Sequence, residues 1–150
     1  MRLAIASDHA AFALKSTLLP WLRALGHDVT DLGTHGPDSV DYPDFGHALG
    51  VAVASGAAAR GIALCGSGIG ISIAANRIAG CRCARVDDPL SATLARQHND
   101  ANAIALGARL IGEEMARACI AAFLDTDFEG GRHAARVAKL DAQPPLGVGV

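Results

Sequence analysis

Apolar runs of strand length alternate along this chain with longer stretches in which apolar residues return at helical spacing. Arg2–Ser7, His27–Leu32, Gly61–Cys65, Cys81–Val86 and Ala103–Leu106 have the length and residue types of strands. Between them the spacing predicts helices over Ala11–Leu25, Asp44–Ser55, Leu90–His98 and Glu113–Leu124, a small-residue helix from the glycines after Cys65 through Asn76, and a last helical segment around His133–Leu140. Gly26 ends the first helix, Pro43 opens the second, and Pro20, which lacks a backbone N–H, should kink or split the first. Gly33–Asp44, rich in Gly, Pro, Asp and Ser, reads as a loop. Strand–helix alternation predicts a parallel α/β sheet in one domain, residues 1–140, with GIALC (Gly61–Cys65) as a central strand. The tail, 141–150, carries two prolines and two glycines and is expected to be extended.

Composition narrows this picture. The 150 residues are 51% hydrophobic, enough for a sizeable core, yet only 4% are aromatic and much of the apolar content is alanine. Such a core suits close helix–sheet packing. A net charge of −2 offers no general attraction to nucleic acid or to an anionic membrane. No apolar run reaches the roughly 20 residues that span a bilayer, and Met1–Ser7 reads as a strand, without a signal peptide's long apolar region. Cys65, Cys81, Cys83 and Cys119 form no disulfide framework, which makes a reducing cytoplasm the expected location.

In open parallel sheets, ligands bind beyond the carboxyl ends of the strands. The chemistry there is Asp8-His9 after the first strand, Cys65 with its glycines, and Asp87-Asp88. Gly66-Ser67-Gly68-Ile69-Gly70 does not fit the dinucleotide fingerprint, which would need glycine where Ile71 stands, and no Lys-Ser or Lys-Thr follows for a Walker loop. What remains is an anion-stabilising loop with a thiol at its entrance, and a helix N-terminus there would lower that thiol from its ordinary ~8.5 toward neutrality. Asp8 is equally suited to cap the following helix. Arg96-Gln97-His98-Asn99-Asp100 ends a helix with a polar cluster in which His98 could serve as general acid or base and Asn99 could orient a hydroxyl, or which simply faces solvent. Arg132 and Arg136 are spaced to share one helix face and could clamp a phosphate, with Arg109 as a third cation; His133 is expected to point elsewhere. Cys81 and Cys83 lack the partners of a zinc site, and no metal is expected.

Five separated motifs in order give this chain a specific likeness. Ala6-Ser7-Asp8-His9-Ala10, Asp41-Tyr42-Pro43, the run from Cys65 to Asn76, Arg96 to Asn102, and Glu129-Gly130-Gly131-Arg132-His133 together resemble the ribose-5-phosphate isomerase B family, which includes the galactose-6-phosphate isomerase subunits. The likeness spans about Arg2 to Leu140. It implies a Rossmann-like three-layer α/β/α sandwich, a homodimer or homotetramer with sites at the dimer interface, and metal- and cofactor-free interconversion of an aldose phosphate and its ketose. It implies Cys65 as the base moving a proton between C1 and C2 through an enediolate, and His98 as the group opening the sugar ring. Gly66, Ser67, Gly68, Ile69 and Gly70 would stabilise the enediolate, and Asp8 and Asn99 would hold hydroxyls. His9, Arg109, Arg132 and Arg136 would receive phosphate, some from a neighbouring subunit, while Tyr42 lines the pocket. A second branch of the family lacks the cysteine and uses a glutamate just after the glycine loop. Ile71 stands there, so the chain resembles the cysteine branch; Ser67, where many relatives carry threonine, keeps the hydroxyl. On the residues alone, a non-catalytic sugar-phosphate or nucleotide-binding module and a cysteine hydrolase remain open, as does the choice among pentose, tetrose and hexose phosphates.

Overall fold

The computed structural model describes residues 1–142. Its strands are β1 (Arg2–Ser7), β2 (Asp28–Asp31), β3 (Arg60–Cys65), β4 (Cys83–Arg85) and β5 (Ala103–Gly107), and its α-helices α1 (Phe12–Ala24), α2 (Tyr42–Ala54), α3 (Ile69–Ala75), α4 (Pro89–Asn99), α5 (Glu113–Asp125) and α6 (Ala134–Asp141). All pairings are parallel, in the order β2-β1-β3-β5-β4. Connections through α1 and α4 run one way along the sheet and those through α2 and α3 run the other. Right-handed crossovers therefore put the two sets on opposite faces. The result is the expected three-layer Rossmann-like sandwich, with β3 at its centre.

The two faces differ in kind, and the strands show why. Leu3 and Ile5, Ile62 and Leu64, and Ile104 and Leu106 point one way, into a core with Leu18 and Leu22 of α1, Ala92 and Ala95 of α4, and Ile120 and Phe123 of α5. The alternate positions are Ala4, Ala6, Ala63, Cys65, Ala103 and Ala105, and they meet Leu49 of α2 with Ile71 and Ala75 of α3. This second face is a layer of small side chains. α2 and α3 approach so closely that a Cβ on Gly46 would lie 2.7 Å from both the Ala74 methyl and the Ile71 carbonyl oxygen. Cys65 is on the small-residue face, which directs its sulfur toward the starts of α2 and α3.

Several boundaries differ from expectation. Pro20 sits inside α1 without splitting it: one missing N–H is tolerated where Leu18 and Leu22 on either side are fully buried. α2 begins at Tyr42, with Pro43 in its first turn, so Tyr42 belongs to the helix and not to the preceding loop. Cys81 precedes the short β4, although both it and Cys83 are buried. Arg132 lies in a 3₁₀ turn, Gly131–His133, and Arg136 in α6, so the two arginines share no helix. Asp141 ends α6 and so is not extended; of the remaining tail, 143–150 lies outside the described residues. Among the described residues no helix is long and apolar enough to cross a membrane.

Candidate active site

β1 connects outward to β2, whereas β3 continues to the other side of the sheet, so a crevice opens between the carboxyl ends of β1 and β3. Asp8 leaves β1 there. Its N–H donates to the Leu64 carbonyl at 3.2 Å and its carboxylate accepts from the Ala11 N–H at 3.2 Å, capping the 3₁₀ turn His9–Ala11. Asp8 is thus both a cap and a cleft wall. Both backbone polar atoms of Val40 lie 3.2 Å from His9 Nδ1 and pin that ring.

The glycine loop closes the other side. The Gly68 N–H donates to Cys65 Sγ at 3.1 Å, and the Ile69 N–H approaches Ser67 Oγ at 3.3 Å. Gly68 has φ +75°, and a Cβ there would come within 2.9 Å of the Leu106 backbone, which leaves no room for another residue. The Arg109 guanidinium lies across Gly66, 3.3 Å from where a Cβ would stand, and the Tyr42 ring covers Gly70, 2.5 Å from its Cβ position. Glycine at these two points lets a cation and a phenol reach the cleft. The cleft, about 340 Å³, brings together Asp8, His9, Tyr42, Cys65, Gly66, Ser67, Gly70 and Arg109. Gly68 and Ile69 shape the loop but do not line it. Arg85, unforeseen in the sequence, donates from Nε to the Ser67 carbonyl at 3.0 Å and braces the loop.

His98, Asn99, Arg132 and Arg136 are not part of this cleft. The reason is topological. α4 starts near the carboxyl end of β4 and returns to the amino end of β5, so its 11 residues, about 16 Å of helix, carry His98 and Asn99 to the far side of the sheet. The segment after α5 joins them there, its Glu129 N–H bonded to the Gln97 carbonyl at 3.1 Å. Asn99 lines a separate cavity of about 440 Å³ with Asn76, Arg82, Cys83 and Leu140. Contrary to expectation, His133 points at His98: the rings stack with centroids 4.4 Å apart and planes 10° from parallel. Only the 133/98 pairing in space exposes this; adjacency to Arg132 in sequence does not.

Glu129, His98 and His133 form a trio of ligand-type atoms within 4.8 Å of one another among the described residues. Its geometry suits a metal poorly. Parallel rings aim their lone pairs alongside each other, and Arg132 Nε already lies 3.4 Å from His133 Nε2. Burial, then His98 and Arg132, hold the His133 imidazole below its ordinary range. With Arg132 and Arg136 both exposed beside it, this end of the molecule offers positive charge to an anion.

All four cysteines are free and buried. Burial pushes Cys81 and Cys119 up to about 11 and Cys83 higher still, so these three remain protonated packing residues, as expected.

A strand-end thiol beneath an arginine, with an Asp-His pair beside it, is a site of definite type. A sequence model for the ribose/galactose isomerase family matches residues 3–140, nearly the whole described chain. The chain belongs to that family. Ribose-5-phosphate isomerase B of Escherichia coli is 43% identical over 141 residues, 94% of this chain and 95% of that protein. D-erythrulose-4-phosphate isomerase of Pectobacterium atrosepticum is 44% identical over 142 residues, covering 93% of each. The solved structure of Clostridium thermocellum ribose-5-phosphate isomerase B superposes with a TM-score of 0.93 at 47% identity, covering 94% of this chain and 95% of that one. The protein is an isomerase of the ribose-5-phosphate isomerase B family and acts on a sugar phosphate. As in the ribose/galactose isomerases it matches, the fold is a single α/β domain.

Proposed function

We propose that the protein interconverts ribose 5-phosphate and ribulose 5-phosphate, with Cys65 as the base and His98 of a second copy opening the furanose ring. The observation that carries this is the Cys65 sulfur at the base of a cleft walled by Asp8, His9 and Arg109. A thiolate there takes the C2 proton of the open aldose and the electrons move onto O1 as the enediolate; a proton then passes from O2 to O1, the C2 carbonyl forms, and the thiol gives its proton to C1. The loop from Gly66 to Gly70 stabilises the developing oxyanion, Gly66, Ser67 and Gly70 lining the cleft and Gly68 and Ile69 setting the loop's shape. Asp8 and Asn99 hold hydroxyls, Tyr42 walls the pocket, and His9, Arg109, Arg132 and Arg136 receive the phosphate. The thiolate shuttles a proton and forms no bond to carbon. No metal or cofactor enters this scheme, the working unit is a homodimer or a homotetramer built from it, and the cytoplasm is its location.

The topology supports a second copy. His98, Asn99, Arg132 and Arg136 stand at the end of the sheet opposite to Cys65, so within one chain they cannot reach the same sugar. Ile69 and Ile73, one turn apart on α3 and each about half exposed, supply apolar surface next to the cleft for such a partner.

In deuterium oxide the wild-type enzyme should place deuterium at C2 of ribose 5-phosphate as it equilibrates with the ketose, read by proton NMR. Loss of phosphate, or tight binding without exchange, would point to a hydrolase or to a binding module instead. Mixing of two inactive variants tests the shared site. If Cys65→Ala and His98→Asn subunits are refolded together, each hybrid dimer regains one intact site, and about a quarter of wild-type activity returns. No recovery in demonstrably mixed dimers would rule out sharing.

A further inference from the structure

The stacked pair His98–His133 lies outside the Cys65 cleft, and the scheme above uses only one of its members. We infer that His133 is a positioning residue for His98, holding that imidazole in the plane from which it opens the sugar ring. This rests on the reading of His98 given above. Three observations support it. The rings are 4.4 Å apart and nearly parallel, so His98 cannot turn about its last side-chain bond without striking its neighbour. His133 is itself anchored: it is buried, its backbone N–H donates to the Gly130 carbonyl at 3.0 Å, and Arg132 Nε and Glu129 Oε2 lie 3.4 and 3.6 Å from its ring Nε2. Glu129 is tied in turn to the helix bearing His98, through its N–H to the Gln97 carbonyl. The ring is therefore a buried wedge held at its Nε2 edge.

Charge works in the same direction. His98, Arg132 and Arg136 all oppose a proton on His133, and Glu129 alone favours one. Burial adds to that opposition, so the stack favours a neutral His133.

The two halves of the reaction separate the role from mere folding. Ribose 5-phosphate is cyclic and must be opened. Ribulose 5-phosphate carries its phosphate on O5, the only hydroxyl that could close a furanose onto C2, so it is open-chain and needs only enolisation. His133→Ala should lower turnover of ribose 5-phosphate about tenfold to a hundredfold. Exchange of the C1 proton of ribulose 5-phosphate with solvent deuterium should stay within about twofold of wild type, since Cys65 is untouched. His133→Phe, which keeps a flat ring at the stack, should recover most of the lost turnover. Equal loss in both assays, or no loss in either, overturns the positioning role. His98→Asn is measured in parallel. If it shows the selective loss and His133→Ala does not, the positioning role alone fails. If His98→Asn shows none, the ring-opening role of His98 falls, and that of His133 with it.

Discussion

Cys65→Ala should abolish isomerisation while leaving the fold intact, with kcat on ribose 5-phosphate down by about a thousandfold or more. The fold should survive because the site of substitution is already an alanine layer. Cys65 packs among Ala4, Ala6, Ala63 and Ala105, so removing one sulfur leaves only a small void in that layer. Cys65→Ser is the stricter test. Its hydroxyl can still accept from the Gly68 N–H that now meets the sulfur, so loop geometry is kept, but an alcohol is a far weaker acid than a thiol and supplies no useful base near neutral pH. Both variants should therefore fail to wash deuterium into C2, with unchanged circular dichroism and thermal midpoints within a few degrees. Wild-type exchange in Cys65→Ala would remove the thiol from the mechanism.

Lys15→Met should be the most destabilising of the substitutions considered, by about 3 kcal/mol, or roughly 10 °C in the thermal midpoint of a chain this size. Lys15 is almost wholly buried, paired with the Asp31 carboxylate and donating to the Thr34 carbonyl at 2.7 Å. Methionine fills the volume but strands both acceptors. Burial pushes the Asp31 carboxyl up, but the Lys15 hydrogen bond and the Gly33 N–H outweigh it, and the group ends below its ordinary value. Because the folded value lies below the unfolded one, this contribution is complete above about pH 4 and is lost as pH falls through the depressed folded value. The gap between wild type and Lys15→Met in urea unfolding should thus be widest near pH 7 and narrow below pH ~4. A gap that does not change with pH would mean that packing, and not the ion pair, stabilises this region.

Lys15 also illustrates a signal present in the sequence but easily passed over. Ala11, Lys15, Leu18 and Leu22 fall on one helical stripe, and all four are buried. A lysine in the apolar stripe of a helix packed on the sheet needs a partner of opposite charge. Asp31 at the end of β2 provides it and so holds the start of the loop that carries Val40 to His9 and leads into Tyr42. His133 left no comparable trace. Its meaning depends on an imidazole 35 positions earlier in the chain.

What the residues determine unaided is local. Strand-length apolar runs, glycine and proline punctuation and helical spacing are enough for the α/β class, for β3 as a central strand, and for the cluster at the strand ends. Asp8, His9, Cys65, Gly66, Ser67 and Arg109 fall together because each directly follows or ends a strand, and parallel strands put all their carboxyl ends on one side. Tertiary structure decided the rest. Nothing local indicates that β5 inserts between β3 and β4, or that alternate strand positions separate a Leu/Ile face from an alanine face bearing the thiol. Nor does it reveal that α4 returns His98 and Asn99 to the opposite end, beside His133, Arg132 and Arg136. Residues close in sequence share a helix turn or a strand end, whereas residues on elements of opposite direction are separated by the length of the element. That length is why the Cys65 cleft and the His98–His133 cluster stand at opposite ends of the sheet.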